Sequence, residues 1–111
     1  MLSLKSVVYF DVDKSDLKDN YHNELEKILA TLEQYEQLGI EISGYASSDG
    51  NEQYNRELSD KRAISVLDYF NKKGVVRRRI VAKGYGASGD HKLSNEEARR
   101  VEVRLVDLNN L

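Results

Sequence analysis

The chain has 111 residues, 40% of them hydrophobic and 32% charged, with a net charge of −2 and a pI near 5.7. That is enough for one domain around a single modest core; nothing in it suggests disorder, and it excludes a global basic field that would condense nucleic acid. Cysteine and proline are both absent, so no disulfide, thiolate metal site or cysteine nucleophile can form, and glycine carries the punctuation.

In chain order, Val7–Phe10 reads as a first strand that runs into the acidic turn Asp11–Asp16. Apolar residues then recur at Tyr21, Leu25, Ile28, Leu29 and Leu32, the spacing of one helix face, and Gly39 is expected to stop that helix. Ile40–Ala46 alternates with period two and places Ile40, Ile42, Gly44 and Ala46 on one face of a strand. A small-residue loop, Ser47–Asn51, leads to a second helix from about Glu52 to Lys73, which Gly74 ends. The cationic run Arg77–Arg79 is short and reads as a solvated strand entry. A third strand spans roughly Arg79 to Tyr85, with Gly84-Tyr85-Gly86 read as a turn, and Ala87–Lys92 as loop. Ser94-Asn95-Glu96-Glu97 matches a capping box for one short helical turn. In the last strand Val101, Val103 and Leu105 point one way and Arg100, Glu102 and Arg104 the other.

The order β-α-β-α-β-β predicts a two-layer α/β sandwich, a four-stranded mixed sheet with two long helices on one face. Both βαβ crossovers are expected to bring parallel strands together, right-handed, with the last strand free to run antiparallel. No run is apolar enough for a membrane span, so no insertion by this domain is expected, and Met1–Lys5 is too short for a secretory signal.

The second helix carries the chemistry. Its buried stripe is Ala63, Val66, Leu67 and Phe70, and following it back by helical steps reaches Arg62, Ser59 and Asn55. An arginine on the sheet-facing side needs partners. Either the helix start overlooks a polar cleft, or Arg62 is paired with a structural carboxylate. Ala46, Ser47, Ser48 and Gly50 let a ligand approach the backbone, and the helix N-terminus with Arg62 suits a carboxylate.

The stretch from Ile42 to Ala63 resembles the signature of the OmpA C-terminal-like family, roughly G-H-T-D-x-x-G-x-x-x-Y-N-x-x-L-S-x-x-R-A. The likeness extends to Tyr9-Phe10-Asp11, Gly84-Tyr85-Gly86 and Arg99-Arg100-Val101-Glu102, and so covers nearly the whole chain. The resemblance implies a single peptidoglycan-binding domain over residues 1–111, excised from a larger envelope protein and working in the periplasm. It implies a groove for the peptidoglycan stem peptide, without cofactor or metal. There the family's aspartate and arginine clasp the ammonium and carboxylate of diaminopimelate. The arginine falls on Arg62, the family asparagine on Asn55, and Asp11 and Arg99 or Arg100 are expected near the same end of the sheet. The family aspartate falls on Ser47, and Asp49, or else Asp11, is the expected substitute anion.

Two other classes compete. An enzyme lacks support: His22 and His91 have no metal-ligand spacing, and no nucleophile elbow, P-loop or dinucleotide fingerprint is present. Glu24, Glu26, Glu33 and Glu36 read as a solvated helix face. A protein-interaction module on the same fold with a decayed clasp is favoured by Ser47, and Tyr45, Tyr54, Tyr69 and Tyr85 would supply its contact surface. A regulatory ferredoxin-like domain fits the architecture alone.

Overall fold

The computed structural model describes residues 5–48, 50–87 and 93–110. Four strands, β1 (Lys5–Tyr9), β2 (Leu38–Ala46), β3 (Ile80–Ala87) and β4 (Arg100–Asp107), alternate with helices α1 (His22–Gln34), α2 (Glu52–Lys72) and the single turn α3 (Asn95–Ala98). They form one mixed sheet in the order β1-β4-β2-β3. β2 and β3 pair in parallel, with Ile42 opposite Ala82, while β4 runs antiparallel to both β1 and β2.

This order corrects one expectation. β1 and β2 point the same way but are not neighbours, because β4 is inserted between them. The inward row of β4 explains its place: Val101 and Val103 have no exposed surface and lie against the inward residues of both flanking strands, Val8 on one side and Ile42 on the other. At the centre of the sheet these two β-branched side chains are covered from every side. Each fully buried residue of this size contributes about 1.5–3 kcal/mol.

Both long helices pack on the same sheet face. Leu25, Ile28, Leu29 and Leu32 of α1 and Ala63, Val66, Leu67 and Phe70 of α2 join the inward strand residues in one core. The other face is open and polar. There Lys5 pairs with Glu102 at 3.3 Å and Arg104 with Glu41 at 2.6 Å, and Tyr45 and Tyr85 stack at 5.6 Å between centroids.

α2 lies almost on the sheet backbone. A Cβ on Gly44 would collide with the Ser59 carbonyl, and one on Gly84 with Asp60. The Gly84 N–H donates to Asp60 Oδ1 at 3.0 Å and the Gly86 N–H to Ser59 Oγ at 2.8 Å. Gly84-Tyr85-Gly86 is therefore strand rather than turn, held to α2 through groups that side chains would otherwise screen. Gly74 does end α2, at φ +99°.

Gly39 does not end α1. That helix closes at Gln34, and Gly39 sits in β2, where a Cβ would strike the Arg79 carbonyl. The stop comes from Arg79 instead. Its guanidinium donates to the carbonyls of Leu32 (2.8 Å), Tyr35 (2.9 Å) and Leu38 (2.7 and 2.9 Å), satisfying the end of α1 and the start of β2 together. The Arg77–Arg79 run is thus not simply a solvated entry to β3, since half-buried Arg79 is spent on main-chain carbonyls.

Candidate functional site

The carboxyl end of β1 and the start of β4 form one side of the site. Past β1 the ladder continues for one more pair, the Phe10 N–H donating to the Arg99 carbonyl at 2.9 Å. Arg99 returns its Nε–H to the Phe10 carbonyl at 3.0 Å. Around this pair opens a cleft of about 420 Å³. Tyr9, Phe10 and Tyr21 give it an aromatic wall, Lys18 and Arg99 its cations, and Asp11, Glu96 and Glu97 its carboxylates.

Arg62 lies beneath this cleft and is wholly buried. Its Nε donates to the Lys14 carbonyl (2.9 Å), one terminal nitrogen to the Tyr45 carbonyl (3.0 Å) and the other to the Asp11 carbonyl (3.1 Å). The guanidinium carbon sits 5.4 Å from the centre of the Phe10 ring. The residue is therefore neither open to a cleft nor matched with a carboxylate. Three main-chain carbonyls hold it, from the turn after β1 and the end of β2. Burial, and then the positive charge of Arg99, lower its pKa to about 10, with Tyr54 and Asp13 acting the other way. It stays protonated at neutral pH, a fixed positive charge under the cleft floor.

The turn after β1 is fastened to α2 a further time. Tyr54 donates its hydroxyl to Asp13 Oδ1 at 2.7 Å, and this bond raises the Tyr54 pKa. Asp13 takes φ +58°, the left-handed conformation that a short acidic side chain tolerates. Asn51 caps α2 by accepting the Tyr54 N–H at 2.7 Å, so one of the free N–H groups at that helix start is already satisfied.

Of the residues singled out from the sequence, Asp11 and Arg99 line the cleft and Arg62 lies below it. Asn55 is buried in the first turns of α2, and Ser47 is half-buried just past β2; neither lines the cleft. Ser59, on the same stripe, works structurally: its hydroxyl donates to the Arg56 carbonyl at 2.8 Å and accepts from Gly86. Arg100 points to the open sheet face, 4.2 Å from the Tyr45 ring centre and 2.8 Å from Glu102. Asp49 and His91 lie outside the described residues. His22 packs on the Tyr69 ring at 4.9 Å, and among the described residues no group of His, Asp or Glu is placed to hold a metal ion.

Sequence reasoning missed Lys18, Tyr21, Glu96 and Glu97 as cleft residues. A signal for the last two was present. The capping box is real, Ser94 Oγ accepting the Glu97 N–H at 3.1 Å, and it fixes α3 directly before Arg99.

The OmpA family profile matches residues 9–108. The chain is 36% identical to outer membrane porin F of Pseudomonas fluorescens, over 90% of this chain and 31% of that one. It is 38% identical to outer membrane protein A of Klebsiella aerogenes, over 78% of this chain and 25% of that one. The solved peptidoglycan-associated lipoprotein of Burkholderia pseudomallei superposes with a TM-score of 0.81 at 27% identity, covering 90% of this chain and 89% of that one. A mixed four-stranded sheet carrying two helices on one face, with this pattern of matches, defines the class, and the chain belongs to the OmpA family. It spans under a third of the length of these two outer membrane relatives. No described helix is long and apolar enough to cross a membrane.

Proposed function

We propose that the domain binds peptidoglycan non-covalently, its cleft taking a diaminopimelate-type residue of the stem peptide. It would thereby tie the envelope protein that carries it to the cell wall, from the periplasmic side and without turnover. The observation that carries this reading is Arg99. Its Nε is anchored on the Phe10 carbonyl, the residue lines the cleft, and its terminal nitrogens have no other partner among the described residues. A guanidinium held at one edge keeps a two-pronged face for a carboxylate. The buried charge of Arg62 beneath adds to the attraction, since little solvent screens it. Membership of the OmpA family, and the likeness to a structure named as a peptidoglycan-associated lipoprotein, supports the choice of polymer. Modest affinity would suffice, because a wall polymer presents many sites at high local concentration.

Co-sedimentation with purified sacculi tests it. Wild type is expected in the pellet and Arg99→Gln mostly in the supernatant, with no soluble wall fragments released by either. Wild type remaining in the supernatant would sink the proposal. That result would favour the second reading, a protein-interaction module on the same fold, for which Ser47 in place of the family aspartate is the supporting observation.

A further inference from the structure

We infer that the acidic half of the ligand clasp has moved from the β2–α2 loop to α3, where Glu96 receives a ligand ammonium beside the carboxylate held by Arg99. This rests on the cleft being the ligand site. Three carboxylates border that cleft, and two are already engaged. Asp11 is held by Lys18 at 3.0 Å from each of its oxygens. Glu97 gives an oxygen to the Ser94 N–H at 3.1 Å, as the return bond of the α3 cap. Glu96 is exposed and takes no partner among the described residues.

Glu96 and Arg99 are one helical turn apart and border the same cleft, yet no ion pair joins them. Opposite charges left unpaired in one cleft fit a ligand that brings both signs itself. The ligand class is an amino acid with a free ammonium and a free carboxylate on one carbon, such as the unlinked end of a diamino acid. Lys18, tied to Asp11, makes Asp11 a weaker receiver for a second cation. Ser47 does not border the cleft, so its lack of charge costs this arrangement nothing.

Titration calorimetry on the full chain separates the possibilities, using a diaminopimelate-containing muropeptide with its free amine intact or N-acetylated. Glu96→Gln is expected to weaken the intact ligand about tenfold, the worth of one charge-assisted hydrogen bond. The same variant should bind the acetylated ligand as wild type does, and Asp49→Asn should stay within about twofold of wild type for both. The Glu96 side chain makes no bond among the described residues, and the cap is made by Ser94 and Glu97, so the variant is expected to keep the fold and the cap. Equal affinity of wild type and Glu96→Gln for the intact ligand, with Arg99→Gln still weakened, overturns the inference and leaves the cleft reading standing. Loss on Asp49→Asn instead returns the acid to the β2–α2 loop and overturns it too. Wild type binding neither ligand at millimolar concentration removes the cleft reading and the inference together.

Discussion

Arg62 and Arg79 sit at opposite ends of β2 and perform related tasks. Each directs its guanidinium at three main-chain carbonyls, and neither forms an ion pair with a carboxylate among the described residues. Arg62 joins the turn after β1 to the end of β2 with no exposure at all, under the cleft. Arg79 joins the end of α1 to the start of β2 at the surface, half-exposed. The difference shows how burial sets the value of identical bonds. At the Arg79 end the guanidinium meets water. At the Arg62 end the guanidinium is shut away from solvent and depends on its three carbonyls, one of which, that of Asp11, also accepts the Lys14 N–H at 3.1 Å. The buried arginine also projects its charge toward the cleft end of the domain, and the surface one does not.

Removing the fork at each end puts a number on that difference. Arg62→Met should destabilise the domain by about 3–5 kcal/mol in urea unfolding, since it removes three hydrogen bonds made by a wholly buried guanidinium. Arg79→Met should lose about 1–2 kcal/mol in the same assay, because solvent replaces part of what is lost. Equal losses at the two ends would break the comparison. Arg99→Gln, a neighbour of Arg62 at the cleft, should cost under about 1 kcal/mol of stability while abolishing sacculus binding, which separates holding the fold from holding the ligand.

The smallest effect is on the open face. Burial alone would raise the Glu102 pKa, but hydrogen bonds and charge from Arg100 and Lys5 outweigh it and the net direction is down. A carboxylate with a depressed folded pKa adds stability above its unfolded pKa and loses it as pH falls through the folded value. The stability gap between wild type and Glu102→Gln should therefore be widest near neutrality and close as pH drops below the usual carboxylate range. A gap that stays constant on acid titration would show the ion pairs to be inert.

The strands and long helices were readable from period-two and helical patterns, and the buried placement of Asn55, Ser59 and Arg62 from their position on an apolar stripe. Strand order was not readable. The Val101-Val103-Leu105 row looks the same in sequence at the centre of a sheet as at its edge. Gly39 was misread because a glycine chosen for close packing and one chosen for positive φ are the same letter. Arg79 was hidden in a run of three arginines, and the partners of Arg62 were hidden more deeply, because a main-chain carbonyl has no side-chain signature. Glu96 was read only as part of a cap, since its neighbourhood with Tyr9 and Lys18 arises from the fold.

The near-contact of α2 with the sheet at Gly44 and Gly84 has a further consequence. A helix seated that closely cannot rock or slide without clashing with strand backbone, and it carries the arginine that braces the cleft floor. The floor is rigid before any ligand arrives. Encounter then needs no ordering of the chain beneath the site, the entropy of that step having been settled during folding. In the proposed ligand role, rates of capture and release would be left to the short acidic turn and α3 at the rim.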